Sequence, residues 1–175
     1  MKFMKMKHFQ RFEKLYFSKL SLRKGFSFGL TSGIITTLGL IIGLNSGTHS
    51  RLVVIGGILV IAVADALSDA TGMHVSEEAE AKHTDKSIWE STYATLFSKF
   101  FFALTFMVPV LLFELSTAVI VSIIWGLFLI AATSYYIAKK ENAKPFKVIT
   151  EHLLLTALVI ILTHFVGRFV AAYFS

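Results

Sequence analysis

The sequence predicts an all-α polytopic membrane protein with five transmembrane helices and an N-terminal amphipathic interfacial helix. Of its 175 residues, 55% are hydrophobic and only 16% are charged, and the mean hydropathy is +0.69. This balance lies well outside that of a soluble globular domain. The apolar residues also form five long runs, and the Lys and Arg residues are distributed very unequally between the two ends of those runs.

Residues 1–24 form the predicted interfacial helix. They carry eight Lys or Arg residues, and large apolar residues recur among them at roughly helical spacing. Basic amphipathic helices of this kind lie in the plane of a membrane surface. A merely basic tail is the alternative. A cleavable signal peptide is excluded, because no apolar central region precedes a small-residue cleavage site.

Residues 25–175 are predicted to form one membrane domain. Its spans cover approximately residues 26–44, 52–76, 95–113, 118–138 and 152–174. At ~1.5 Å per residue each run is long enough to cross most or all of a hydrocarbon core of ~30 Å. Pro109 predicts a kink in the third span. Only residues 114–117 separate the third span from the fourth, which predicts a helical hairpin.

The positions of the basic residues predict the orientation of the chain. We assign fifteen of the seventeen Lys and Arg residues to one side: the N-terminal eight, then Lys82, Lys86 and Lys99 after the second span, and four more after the fourth. Only Arg51 and Arg168 fall on the other side. By the positive-inside rule, the N-terminus is cytoplasmic and the C-terminus is outside the cell membrane.

Several classes of function are excluded by composition and pattern. The dispersed basic residues give no contiguous face for nucleic acid. The chain has no cysteine, which rules out disulfides, thiolate metal sites and cysteine nucleophiles. No nucleotide-binding loop, hydrolase triad or zinc-protease pattern is present. We therefore expect no enzyme activity and no soluble cofactor.

Two carboxylates in the second span are the most unusual feature of the sequence. Asp65 and Asp69 lie in the apolar part of a membrane helix, where a charge costs several kcal/mol unless it is paired, hydrated or bound to an ion. At ~100° per residue, one helical face carries an oxygen-rich series with a single thioether. Its members are Asp65, Asp69, Met73, Ser76 and Glu80, with Glu77 at the margin.

This series favours a divalent cation. Carboxylates and hydroxyls suit hard or borderline divalent ions, and the Met73 thioether shifts the preference towards ferrous iron or manganese. Carboxylates must release protons when they bind a metal, which predicts that metal and proton binding are coupled. The alternative is that Asp65 and Asp69 pair with buried donors such as Ser, Thr or His164 and only fasten helices together.

The first span supplies small residues at helical spacing. Gly25, Gly29 and Gly33 lie at four-residue intervals, and Gly39 and Gly43 repeat the spacing. Such residues let another helix approach closely, within the chain or in a dimer. Ser32 lies at about the depth of Asp65, so Ser32, Thr36 and Asp65 are predicted to face a common path.

Two segments resemble the vacuolar iron transporter family. They are GLTSGIITTLGLIIGL at 29–44 and ADALSDATGMHVSEEAE at 64–80, which resemble the first two membrane helices of that family. The resemblance implies a homodimer that exports ferrous iron or manganese from the cytosol in exchange for protons. It further implies that the ion path runs between the protomers and is lined by the first two spans, here by Ser32, Thr36 and Ser68.

The chain departs from the family pattern in three places. Ser32 holds the position of an aspartate in the first span. In the second span the family reads Leu-Ser-Met-Ala-Ala-Gly-Glu-Tyr, whereas residues 67–74 read LSDATGMH, so that methionine and acid exchange places. The glutamate-rich cytosolic domain found in many members is reduced to a short connection.

Residues and resemblance together predict a transporter that moves ferrous iron or manganese out of the cytosol in exchange for protons. Asp65 and Asp69 would bind the ion, Met73 would tune selectivity, and Glu77 and Glu80 would collect ions at the cytoplasmic mouth. Two alternatives stay open. One is a non-transporting scaffold or assembly subunit, and the other is a metal channel or importer on the same frame.

Overall fold

The computed structural model describes residues 2–80 and 84–174, with side chains from residue 19 onward. These residues form six α-helices and no strand. The helices are α1 (Lys2–Thr48), α2 (Arg51–Ala79), α3 (Asp85–Thr105), α4 (Met107–Leu112), α5 (Leu115–Lys140) and α6 (Pro145–Phe174). Lys82 and the basic side chains before residue 19 lie outside the described residues.

Five helical segments are long and apolar enough to cross a membrane, as the sequence predicts. They are Lys19–Thr48, Arg51–Ala79, Asp85–Leu112, Leu115–Lys140 and Pro145–Phe174. The third segment consists of α3 and α4 together. The five-span prediction is therefore confirmed at the level of helix number and composition.

The N-terminal segment does not form a separate helix. Helix α1 runs without interruption from Lys2 to Thr48, through the predicted boundary at residues 24–25. No proline lies in this stretch, and a single glycine such as Gly25 costs a helix only about 1 kcal/mol. Placement of residues 1–24 on a membrane surface stays a prediction.

The third span begins earlier than the sequence predicts and is interrupted inside. Thr84 caps α3 through a reciprocal pair of hydrogen bonds with Ser87, which starts the helix at Asp85 instead of near residue 95. The helix breaks at Phe106, three residues before Pro109. Proline lacks the N–H that would bond to the Thr105 carbonyl, and its ring crowds that carbonyl. The break is the kink that Pro109 predicts.

Helix α1 lies at the centre of the bundle and contacts α2, α3, α5 and α6. Its residues Ile34, Leu38 and Ile41 are fully buried and pack with Ile58 of α2 and Phe106. Helices α1 and α6 run in the same direction, because a Cβ on Gly39 would meet Val159 and one on Gly47 would meet Gly167.

The glycines of α1 serve packing within the chain. A Cβ on Gly25 would collide with the Ser91 carbonyl of α3, one on Gly29 with Thr95, and one on Gly33 would lie 3.0 Å from the Lys99 carbonyl oxygen. Gly39, Gly43 and Gly47 approach α6 in the same way. The first glycine series is thus packed against α3 and the second against α6.

Candidate ion site in the membrane domain

The aspartates of α2 face a lysine from α3. Lys99 Nζ lies 2.6 Å from Asp65 Oδ2 and also forms an ion pair with Asp69 Oδ2. Asp65 and Asp69 are one helical turn apart, so both carboxylates reach the same ammonium group. The Lys99 side chain is only 1% exposed, whereas those of Asp65 and Asp69 are 29% and 22% exposed. The lysine therefore lies on the inner side of the cluster and the carboxylates towards its open side.

Ser32 of α1 completes this cluster. Its hydroxyl donates to Asp69 Oδ2 at 2.7 Å and accepts from Lys99 Nζ at 2.9 Å. Gly33 brings the backbones of α1 and α3 close together beside it. The sequence predicts that Ser32, Thr36 and Asp65 face a common path, and in the structure Ser32 contacts Asp69 instead of Asp65. Thr36 instead donates to the Ser32 carbonyl within its own helix.

By formal charge, the cluster has one more carboxylate than ammonium group. Asp65, Asp69 and Lys99 form ion pairs with no other described residue, so two carboxylates share one ammonium group. Both aspartates use Oδ2 for these contacts, and neither Oδ1 has a partner among the described residues. An uncompensated charge in a membrane interior costs about 3 kcal/mol. A cation or a proton bound by the open carboxylate oxygens would remove that cost.

The position of Lys99 differs from the sequence-based prediction, which places this lysine on the cytoplasmic side. It lies inside the third span, just over two-thirds of the way along α3, and it is buried. Lys99 therefore does not contribute to the charge difference between the two sides. The sequence analysis does not include Lys99 in the site, although a lysine within an apolar run is itself a signal that a carboxylate lies nearby.

A second ion cluster lies at the Lys24 end of the bundle. Lys24 of α1 lies 2.5 Å from Glu77 Oε1 and 3.2 Å from Glu80 Oε1, and Ser21 donates to Glu77 Oε2 at 3.1 Å. The Glu77 side chain is fully buried, whereas those of Lys24 and Glu80 are about half exposed. The two predicted ion-collecting glutamates thus hold α2 against α1 at this end.

The remaining predicted site residues occupy different faces of α2. Met73 is 7% exposed and lies on the buried face, one turn beyond Asp69. Ser68 is exposed on the opposite face. His164, the histidine considered as a possible partner for the aspartates, instead shares a 2.7 Å hydrogen bond with Ser46 at the other end of the bundle.

No group of three acidic or histidine side chains able to hold a metal ion occurs in the part of the chain that the structure describes. The position between Asp65 and Asp69 is taken by the Lys99 ammonium group. A metal ion would therefore bind to the free carboxylate oxygens on the open side, or it would displace the lysine.

Comparison with known proteins adds no closer assignment. No protein-family model matches the chain, and no curated protein or solved structure is significantly similar to it. The class of protein follows from the fold itself: five helices long and apolar enough to cross a membrane indicate an integral membrane protein. Within that class, its distinguishing feature is an intramembrane cluster of two carboxylates, one lysine and one serine.

Proposed function

We propose that the protein is a cell-membrane transporter that moves a divalent transition metal, ferrous iron or manganese, out of the cytosol in exchange for protons. The observation that supports this proposal best is the charge of the Asp65–Asp69–Lys99 cluster. One ammonium group balances only one of two intramembrane carboxylates. The missing positive charge can come from a metal ion or from a proton, and competition between the two for the same oxygens is the chemistry of exchange.

Exposure of the carboxylates is consistent with ion access. Both aspartates are partly exposed and each keeps one oxygen free of protein partners, whereas Lys99 is buried behind them. Lys99 has two effects in this proposal. It stabilises the site when no metal is bound, and it repels a cation that approaches the same oxygens, which keeps metal binding weak enough for release.

Glu77 and Glu80 form the entrance in this proposal. Glu77 lies in the last turn of α2 and Glu80 is the residue that follows the helix, and Lys24 of α1 pairs with both. Met73 lies between the two clusters along the helix, at a position suited to influence selectivity. The resemblance to the vacuolar iron transporter family further supports a homodimer in which the exposed face of α2, including Ser68, is turned towards the partner. The molar mass of the protein in detergent, measured by light scattering, tests whether it is a dimer.

A single substitution separates transport from a structural role of the cluster. Asp65→Asn removes the excess negative charge but keeps the Asp69–Lys99 ion pair and the Ser32 hydrogen bond. We expect proteoliposomes with this variant to lose pH-gradient-driven uptake of ferrous iron and manganese by at least about tenfold, equivalent to about 1.4 kcal/mol of ion binding. Uptake is measured beside wild type and a Glu151→Gln control, whose side chain is exposed.

A non-transporting scaffold is the second candidate, favoured by the buried lysine that fastens α2 to α3. Manganese bound to the native state of a transporter should increase its free energy of unfolding by about 2.7 kcal/mol at a hundredfold excess over Kd, and so raise its unfolding temperature. A scaffold should not respond. Wild-type protein that is neither stabilised by either metal nor able to take it up would contradict the transport proposal. So would unchanged uptake by Asp65→Asn.

A further inference from the structure

A cleft of about 740 Å³ lies between α1, α5 and α6 at the C-terminal end of the bundle. This end carries the last turn of α1, the first turns of α5 and the last turns of α6, and it is opposite to the Lys24 cluster. The volume is within the range of about 300–1,000 Å³ that is typical of small-molecule sites. The proposed ion site uses none of the residues that line it.

One end of the cleft is polar and basic. This end is lined by Asn45 of α1, by His49 just after α1, and by His164 and Arg168 of α6. No Asp or Glu is among the described residues that line the cleft. Arg168 forms no ion pair with any residue that the structure describes, so its guanidinium group stays available for an anion. This end therefore offers several N–H donors and an uncompensated positive charge.

The histidine at this end is held in place by the bundle. His164 Nδ1 and the buried Ser46 hydroxyl of α1 share a 2.7 Å hydrogen bond. Their approach depends on Gly167, because a Cβ there would lie 3.0 Å from the Ser46 Cβ. The ring nitrogen Nε2 has no partner among the described residues. A fixed imidazole with one free nitrogen can contribute to binding without first being ordered.

The other end of the cleft is apolar and lies deeper in the membrane domain. Ile42 is seven residues before His49 on α1, and Ile160 is eight residues before Arg168 on α6, which places each about 10–12 Å further into the bundle. Val119 and Ile123 of α5 form the third wall. The polarity thus changes along the cleft from basic at the end of the bundle to apolar inside.

We infer that this cleft binds an anionic phospholipid, with the phosphate at Arg168, His164 and His49 and an acyl chain along the isoleucine walls. Charge complementarity selects an anion, because basic side chains line the polar end and no acid is among the described residues that line the cleft. The apolar walls select an amphiphile, since a free phosphate ion would leave them uncovered. Phe165 at the cleft is 63% exposed, so a membrane lipid can enter from the side.

The test measures lipid retained by the full chain. Purified protein is exchanged into mixed nanodiscs of phosphatidylglycerol and phosphatidylcholine, transferred to detergent, and examined by native mass spectrometry. We expect wild type to retain phosphatidylglycerol in preference to phosphatidylcholine, and Arg168→Gln to reduce that retention about fivefold or more, as expected for one arginine at a lipid phosphate.

Arg51→Gln is the matched control. Arg51 is an exposed arginine at the same end of the bundle, but its guanidinium group donates to the Leu111 carbonyl and does not line the cleft. Its substitution should leave lipid retention unchanged. A second variant, Ile123→Trp, fills the apolar wall while keeping every charge, and it should reduce retention as well.

Three results would overturn the inference. Equal retention of phosphatidylglycerol by wild type and folded Arg168→Gln would show that the arginine binds no lipid. Equal loss in Arg51→Gln would show a general effect of charge. Displacement of the lipid by millimolar inorganic phosphate alone would identify the cleft as a site for the free anion. Elution volume and unfolding temperature establish that each variant is folded. If Arg168→Gln does not fold, Ile123→Trp tests the cleft in its place.

Discussion

At the scale of single residues, a lysine buried between two aspartates determines the electrostatics of the membrane domain. The sequence alone identified the aspartates, because carboxylates inside an apolar run are costly and conspicuous. The charge pattern alone groups Lys99 with the basic residues that follow the second span, and so predicts a cytoplasmic position for it. The distance of each residue from the end of its span indicates that Lys99 and Asp65 lie at the same depth. Asp65 is thirteen residues from Leu52 and Lys99 is fourteen from Phe113, so both lie ~20 Å from the end of the bundle that carries Leu52 and Phe113.

Lys99→Met should strongly destabilise the protein. The substitution leaves both carboxylates without their cation, and breaking a buried ion pair on one side costs about 3–5 kcal/mol. Thermal unfolding in detergent measures the loss. The same substitution combined with Asp65→Asn and Asp69→Asn removes all three charges and should recover most of the stability.

The control for this prediction is Lys147→Met. Lys147 also pairs with an acid, Glu151, but its side chain is 73% exposed, and exposed pairs contribute about 0–1 kcal/mol. If Lys99→Met were no less stable than Lys147→Met, the cluster would not hold α2 against α3. Failure of the triple variant to recover stability would assign the loss to packing of the lysine stem.

At the scale of elements, the glycine spacing of α1 explains why this helix is central. The sequence predicted close helix approach from the four-residue spacing. Which helix approaches could not be read from it, because glycines carry no side chain that identifies a partner. The structure assigns the first series to α3 and the second to α6. This close approach to α3 also brings Ser32 within hydrogen-bond distance of Lys99.

Gly29→Ala should therefore destabilise the α1–α3 contact. A methyl group at Gly29 would collide with the Thr95 carbonyl oxygen, which is backbone and cannot rotate away. We expect a loss of about 1–3 kcal/mol, as for other overpacked sites, measured by thermal unfolding. Gly72→Ala is the matched control, since a methyl group there meets nothing within 4 Å.

The control should be neutral or slightly stabilising, because alanine favours a helix over glycine by up to about 1 kcal/mol. Equal effects of the two substitutions would mean that helix propensity, and not the approach of α3, determines the stability at Gly29. In that case the central position of α1 would need another explanation.

At the scale of the whole molecule, the distribution of charge predicts how the chain lies in the membrane. Removing Lys99 from the count leaves fourteen Lys and Arg residues assigned to the side of the N-terminus, against Arg51 and Arg168 on the other. The difference remains large, so the positive-inside rule still predicts a cytoplasmic N-terminus and an external C-terminus.

Single cysteines test this orientation, since the chain has none of its own. Glu114 lies between α4 and α5, and Glu141 lies between α5 and α6, so the two acids are at opposite ends of one span. In intact cells a membrane-impermeant maleimide should label Glu114→Cys and spare Glu141→Cys. Labelling of Glu141→Cys instead would reverse the orientation and the proposed direction of export.

The sequence by itself determined the number of spans, the kink in the third span and the two acids that require compensation. These follow from local properties: apolar length, the missing N–H of Pro109 and the cost of charge in hydrocarbon. Only the tertiary structure decided what compensates the acids. Lys99 lies thirty residues from Asp69 in the chain, and it reaches both aspartates because the glycines of α1 let α3 pack closely beside α1 and α2.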